Sequence, residues 1–298
     1  MRWQCRDRSF DLDGRVLVMG VVNITPDSFS DGGRWLDPAA AVEHARRLAA
    51  EGADLVDLGA ESTRPGAPPV TAEEQWRRLA PVLEALAGVT GPCLSIDTSS
   101  AQVAARALAA GAHVVNDVTA LGDPGMAAAV AGAGAGVVLM HMRGTPADMQ
   151  RDPRYEDAPA EVADWLSGRV RSARAAGIAE SRIAVDPGIG FGKRLEHNLE
   201  LIARLEACAA LGRPVVVGVS RKSFLGTLLD QPVDRRLEGG LAAAAIAVFE
   251  GAAVVRTHDV EPTVRAVRVA AALRAARSGS VAARGSAPRS SVGRPRAL

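Results

Sequence analysis

Aromatic residues make up only 3% of the 298 positions, which removes the stacking platforms on which single-stranded nucleic acids are held. Charge of one sign is lacking too. The formal net charge is +1, which argues against a protein whose affinity comes from neutralising phosphates. No nucleic-acid partner is expected. Cysteine is scarce, with Cys5, Cys93 and Cys208 far apart and neither a CxxC pair nor an even framework among them. That usage suits a reduced, cytoplasmic protein. Long apolar runs are missing: no span reaches the roughly 18 residues of a membrane helix. The longest candidate, Ala127 to Met140, is rich in glycine. The first residues carry Arg2, Arg6, Asp7 and Arg8 and no apolar core segment, so neither a signal peptide nor a membrane partner is expected.

What the chain does have is alternation. With 48% hydrophobic residues it can bury a large core. Short β-branched runs occur at Val16–Val22, Leu55–Leu58, Cys93–Ile96, Val114–Val115, Val137–Met140, Ile183–Val185, Val215–Val219 and Val254–Arg256. Helical stretches separate them, near Pro38–Glu51, Ala72–Ala87, Ala101–Ala109, Gly125–Ala133, Pro159–Ala176, His197–Ala209 and Arg235–Glu250, and a last one follows from Glu261 to Ala276. Near-continuous apolar strands, each followed by a helix, imply parallel strands buried on both faces. Eight such units fit a (β/α)8 TIM barrel better than a doubly wound open sheet. Residues 1–276 are expected to form that single domain. The segment from Arg277 to Leu298, made mostly of Ser, Gly, Pro, Ala and Arg, is expected to be a disordered basic tail.

The strand ends carry the functional signal. The apolar runs stop at Asn23, at Glu61-Ser-Thr-Arg64, at Asp97, at Asn116-Asp117, at His141-Met-Arg143, at Asp186, at Ser220-Arg-Lys222 and at Thr257-His258 after Arg256. In a closed barrel these ends converge on one rim, where active sites of the fold sit. Helix capping accounts for one or two such residues, Asp97 before Thr98-Ser99-Ser100 among them, but not for the whole set. Two glycine clusters lead nowhere. Gly188-Ile-Gly-Phe-Gly-Lys193 lacks the flanking residues of a phosphate loop, and Gly132-Ala-Gly-Ala-Gly136 precedes a strand instead of following one.

Seven segments in register resemble the dihydropteroate synthase family. They are GVVNITPDSFSDGG (Gly20–Gly33), DLGAESTRPGA (Asp57–Ala67), LSIDTSS (Leu94–Ser100), GAHVVNDVTAL (Gly111–Leu121), DPGIGFGK (Asp186–Lys193), GVSRKSFLG (Gly218–Gly226) and VVRTHDV (Val254–Val260). The resemblance implies the barrel fold and a transferase of folate biosynthesis. Such an enzyme joins a 6-hydroxymethyl-dihydropterin diphosphate to p-aminobenzoate and releases pyrophosphate. The family implies a dissociative course: pyrophosphate leaves first, and the neutral aniline nitrogen attacks a pterin-methylene cation.

The resemblance also implies roles. Asp97, Asn116 and Asp186 match the acceptors for the pterin's N–H groups, and Lys222 matches the cationic donor. Met140, Phe191 and Gly218 match the slot walls, with Arg256 on a ring face. Arg64, Arg256 and His258 match the diphosphate ligands, and Asn23 the one side chain touching Mg2+. Ser220 and Ser223 suit the p-aminobenzoate carboxylate, with Thr63, Pro65 and Phe29 walling that pocket. Asp31, with Asp27, matches the loop carboxylate that offsets the cation, so the expected catalytic group is Asp31, Asp27, Lys222 and Arg256. The loops Thr25–Gly33 and Glu61–Pro69 are expected to cover the site, and a homodimer is expected by the same resemblance. His44, His113, His141 and His197 are expected to pack or face solvent. The competing readings are a methyltetrahydrofolate-type pterin-binding methyltransferase, which has no use for a diphosphate clamp, and a non-catalytic synthase-like paralogue.

Overall fold

Two short strands, β1 (Arg2–Cys5) and β2 (Arg8–Asp11), open the chain as an antiparallel hairpin. Then come the parallel strands β3 (Leu17–Asn23), β4 (Leu55–Gly59), β5 (Cys93–Asp97), β6 (Val114–Asp117), β7 (Gly136–Met140), β8 (Ile183–Asp186), β9 (Val216–Gly218) and β10 (Val254–Thr257). They pair in the order β8-β7-β6-β5-β4-β3-β10-β9 in the computed structural model, which describes residues 1–25, 37–62, 67–86, 91–277 and 279. A parallel bridge between Val185 and Val215, with the Val185 N–H donating to the Pro214 carbonyl at 2.9 Å, joins the two ends. The expected (β/α)8 barrel is the observed architecture.

The helices are α1 (Pro38–Ala50), α2 (Ala72–Leu86), α3 (Ala101–Ala109), α4 (Met126–Ala133), α5 (Ala158–Ala175), α6 (Leu195–Ala203), α7 (Glu206–Ala209), α8 (Ser223–Leu229), α9 (Leu237–Phe249) and α10 (Val260–Arg277). They cover the outside of the sheet, as parallel strands require. The stretch expected as one helix over His197–Ala209 divides into α6 and α7, and α8 is a short additional element between β9 and α9. Local chemistry sets several starts. Asp37 and Asp157 cap α1 and α5 by accepting from Ala39 N and Ala160 N, and a proline stands in the first turn of each.

The strands look uniformly apolar in sequence, yet their period of two sorts them by face. Val18, Val22, Val56, Leu58, Ile96, Val115, Val137, Leu139, Val185, Val217 and Val255 pack outward with the helices. Leu17, Met19, Leu55, Cys93, Val114, Val138, Ala184, Val216 and Val254 fill the inner cluster with Trp3, Cys5 and Leu12 from the hairpin region. The hairpin is therefore a plug in the N-terminal end of the barrel. It is held by Trp3 Nε1 donating to the Arg182 carbonyl at 3.1 Å, and by Arg6 Nη1 donating to the Leu108 and Ala112 carbonyls at 2.7 and 2.9 Å. The apolar residues lie at the plugged end, so the inward positions nearer the C-terminal ends are left for polar groups.

Because Arg6 sits at the closed end, Arg6→Ala is expected to lower stability by about 1–2 kcal/mol, the worth of charged hydrogen bonds at a helix C-terminus. Thermal unfolding read beside steady-state kinetics checks this. A lower Tm with KM unchanged is the expected result, and a change in KM would place the plug in the active site.

Candidate active site

The open end of the barrel begins where the inward phase of the strands turns polar. On β4 the inward positions are Leu55, Asp57 and Gly59. On β5 they are Cys93, Ser95 and Asp97, with Asp57 paired to Ser95 and Gly59 to Asp97. Asp97 pairs with Asn116 on β6, and Met140 on β7 pairs with Asp186 on β8. Arg256 on β10 lies beside Gly218 on β9. Sheet register thus places Asp97, Asn116, Met140, Asp186, Gly218 and Arg256 around one opening.

At its centre is Arg256. Its Nε donates to Asp57 Oδ2 at 2.7 Å and its Nη2 to Asp97 Oδ2 at 2.8 Å. Asn116 Nδ2 donates to the same Asp57 oxygen at 3.0 Å. The cap of α3 is Ser100, accepting from Val103 N at 3.4 Å, and not Asp97, which is engaged with Arg256. Burial pushes the Asp97 carboxyl up to about 7, against the pull of Arg256 and helped by Asp57 on the neighbouring strand. Burial works against the charge of Arg256, but Asp57 and Asp97 outweigh it and raise its pKa.

Asp186 forms the second focus. It is buried, and its Oδ1 accepts the Gly188 N–H at 2.7 Å. Burial raises its pKa in spite of Lys222. The chain after it turns through Gly188 and Gly190, at φ of +67° and +84°. A side chain at Gly188 would run into the His141 carbonyl, and one at Gly190 would meet Lys222 Cδ at 3.2 Å, so these glycines let the loop lie against both. Lys222 Nζ donates to the Ile189 carbonyl of that loop and stands 4.5 Å over the Phe191 ring. Burial lowers its pKa to about 8, against Asp186. Lys193 props the loop from behind, donating to the Phe191 carbonyl at 2.9 Å and meeting His141 Nδ1 at 3.0 Å. It is buried, which brings its pKa down to about 7.

The remaining rim residues divide into two groups. Asn23 and Asp97 flank Gly59: a Cβ built there would lie 3.8 Å from both Asn23 Oδ1 and Asp97 Oδ2. His258 Nδ1 lies 3.2 Å from Ser220 Oγ, which also accepts from the His258 N–H at 3.3 Å and lies 3.4 Å from Asp259 Oδ2. Arg221, at φ +59°, pairs with Asp259 at 2.7 Å, and Arg236 donates to the Arg221 and Lys222 carbonyls at 3.2 and 3.3 Å. Ser220 and His258 therefore stand together, whereas Ser223 is an exposed residue at the start of α8. Glu61 clamps the base of its loop by accepting from Val70 N at 2.8 Å and Gln75 Nε2 at 3.1 Å. Asp27, Phe29, Asp31, Thr63, Arg64, Pro65 and the tail after residue 279 lie outside the described residues.

Of the four histidines expected to pack or face solvent, His44, His141 and His197 are buried. Two participants went unnoticed in the sequence, Asp57 and Lys193. A carboxylate in the middle of the apolar run Leu55-Val-Asp-Leu-Gly59, on the inward phase of a strand, is the signal that marks Asp57. The contact of Lys193 with His141 spans 52 positions and has no local signature.

A cleft lined by acceptors, two cations and an aromatic ring suits a flat, hydrogen-bonding heterocycle with an anionic tail. The chain resembles known proteins on the same evidence of position. The sequence profile of the pterin binding enzyme family matches residues 19–258. Dihydropteroate synthase of Escherichia coli strain K12 is 46% identical over 252 residues, covering 85% of this chain and 89% of that protein. The crystal structure of Yersinia pestis dihydropteroate synthase in a sulfonamide drug complex superposes with a TM-score of 0.88 at 43% identity, over 93% of this chain and 100% of that one. Xanthomonas albilineans dihydropteroate synthase with 4-aminobenzoic acid gives 0.85 at 47% identity, over 92% and 98%.

Proposed function

The chain belongs to the dihydropteroate synthase family of pterin binding enzymes, and from that premise we propose how its rim divides the family's reaction. The reaction is the condensation of 6-hydroxymethyl-7,8-dihydropterin diphosphate with p-aminobenzoate to 7,8-dihydropteroate and pyrophosphate, in folate biosynthesis. One observation supports this division above the others: Asp97, Asn116 and Asp186 come from the ends of three strands, and Lys222, just before α8, reaches the loop that follows Asp186. A pterin edge offers N–H donors beside a carbonyl acceptor, so carboxylate and amide acceptors with one ammonium donor complement it. Asp186 reads the amino edge and Lys222 the carbonyl, while Met140, Phe191 and Gly218 wall the ring. Gly218 carries no side chain beside Arg256, where a Cβ would already touch Arg256 Cβ at 3.8 Å, which leaves a face for the guanidinium to stack on the ring.

The diphosphate lies toward Asn23, Arg64, Arg256 and His258. As the methylene–oxygen bond breaks, its electron pair goes to the pyrophosphate, and the two arginines stabilise that growing charge. The p-aminobenzoate carboxylate is held near Ser220 and Ser223, walled by Thr63, Pro65 and Phe29. Its neutral amine adds to the methylene cation and then loses a proton to solvent. Asp31, with Asp27, offsets the cation. No strong base is required, which suits a site whose carboxylates are tied to cations.

The Asn23 amide oxygen fits a hard divalent cation as a single protein ligand. Among the described residues there is no group of three or more His, Cys, Asp or Glu side chains able to hold a metal. That donor set suits Mg2+ arriving with the diphosphate, where it would neutralise the leaving group. We further propose a cytoplasmic homodimer. No described helix is long and apolar enough to cross a membrane, and the packed helices α9 and α10 expose Ile246, Val269 and Leu273 as an apolar contact face.

Pterin capture needs Asp97 ionised and Lys222 protonated. With Asp97 at about 7 and Lys222 at about 8, kcat/KM for the pterin diphosphate should rise through pH 7 and fall above pH 8. A profile flat from about pH 6 to 9 would separate these groups from substrate binding. The reaction assignment is tested by pyrophosphate release from the pterin diphosphate with Mg2+. Release that depends on p-aminobenzoate is expected. Folded protein that releases none in its presence would point to the non-catalytic or methyltransferase alternatives.

A further inference from the structure

We propose that Asp57 is a positioning residue of the pterin slot, the fixed anchor of Arg256 and Asn116 that frees Asp97 to exchange its bond to Arg256 for the substrate's N–H donors. The inference rests on the pterin reading of the slot.

Two carboxylates share the Arg256 guanidinium, and they are not equivalent. Asp97 stands at the last position of β5 on the rim, with 12% of its side chain exposed. Asp57 lies in the middle of β4, two residues below the rim, with no exposed surface. A ligand entering from the open end meets Asp97 first. When Asp97 turns to accept from a heterocycle, Arg256 would lose a counter-ion inside the barrel unless a second carboxylate held it. Asp57 supplies that carboxylate, and it grips Nε, the nitrogen nearest the stem, at 2.7 Å. The guanidinium is thereby pinned at its base while its outer Nη2 is released toward the ligand.

The second consequence concerns the sense of the Asn116 amide. An ionised carboxylate only accepts hydrogen bonds, so the Asn116 group facing it at 3.0 Å must be the Nδ2 donor. The amide oxygen is then forced to the opposite side, where the pterin needs an acceptor. Asp57 thus sets Asn116 as an acceptor before any substrate arrives. Its other oxygen, Oδ1, is buried and has no hydrogen-bond partner among the described residues. Both bonds thus load one oxygen, Oδ2, and burying the other without a partner is a cost that points to a role in the site.

Asp57→Asn keeps size and shape but can either donate or accept, so it loosens both constraints. Binding of a pterin, read by titration calorimetry with pterin-6-carboxylate, should weaken roughly 10- to 100-fold, the worth of one or two charge-assisted hydrogen bonds. KM for p-aminobenzoate should stay unchanged. The effects of Asp57→Asn and Asn116→Ala should be markedly non-additive, because one acts through the other. Unchanged pterin affinity in a folded variant, or losses that simply add, would overturn the role. Should the variant not fold, a crystal structure of the wild-type protein with the same pterin decides: Arg256 Nε kept on Asp57 with Asp97 moved to the ligand is the expected arrangement. Arg256 leaving Asp57 to follow Asp97 would overturn the proposal. A wild-type protein that binds no pterin would overturn the slot itself, and the anchor with it.

Discussion

Asp186→Ala should abolish pterin binding, weakening it by roughly 1,000-fold or more, because a site built around buried hydrogen bonds is left with unmatched groups. The carboxylate is well prepared for the task. One oxygen is committed to Gly188 N at 2.7 Å, which fixes the plane of the group and leaves the other oxygen for the ring edge. Burial raises its pKa, and Lys222 opposes that rise, so the ligand meets a carboxylate already balanced by a cation. The substitution also strips the Gly188 N–H of its acceptor, which loosens the loop carrying Phe191. Asp186→Asn separates the two contributions. It can retain the bond to Gly188 but turns an acceptor into a donor, so pterin binding should still collapse while thermal stability stays near wild type. By contrast, Asp31→Ala should slow turnover with pterin affinity largely intact. Equal loss of pterin binding in both would mean that the slot and the covering loop are not separate parts.

The second large effect is expected at Arg256. Removing the guanidinium in Arg256→Ala leaves Asp57 and Asp97 facing the same cavity with their shared cation gone. Breaking a buried pair on one side costs about 3–5 kcal/mol. The arginine side chain is 22% exposed, which places the loss toward the lower end of that range. Its pH dependence follows from the sign of the charge. Burial already raises the Asp97 pKa, and Arg256 opposes that rise. Without the cation Asp97 therefore holds its proton more tightly in the folded variant than in the unfolded chain, and the deficit should shrink as pH falls. Catalysis should be lost as well, since the same group faces the leaving diphosphate. Chemical denaturation at two pH values, with activity measured in parallel, checks both claims. A variant as stable as wild type at neutral pH would show that the Asp57–Arg256–Asp97 cluster contributes nothing to the fold.

Much of this architecture was legible from residue types alone. Asp97, Asn116, Asp186 and Lys222 each end an apolar run, and a barrel can bring strand ends to only one place. The strands themselves followed from their β-branched content. Other features depend on contacts that no local pattern records. The hairpin of β1 and β2 is two four-residue strands rich in charge, and it becomes a plug only because Trp3 and Cys5 find the inward face of strands far along the chain. The seven residues of α8 are too few for a helical period to emerge beside Gly226. Asp57 was masked by its neighbours: Leu55, Val56 and Leu58 read as a strand core, and only the inward phase turns the carboxylate from an oddity into an anchor. Ser220 was assigned by its nearness to Lys222, whereas its partners His258 and Asp259 come from a strand end nearly 40 positions away.

The central claim is that this rim joins a pterin methylene to an aniline nitrogen. The most direct test incubates the purified chain with the pterin diphosphate, Mg2+ and isotopically labelled p-aminobenzoate, then identifies the product by mass spectrometry. The account predicts 7,8-dihydropteroate carrying the full label, formed with an equal amount of pyrophosphate and absent when any one component is omitted. Folded protein that binds the pterin yet yields no labelled product would contradict it.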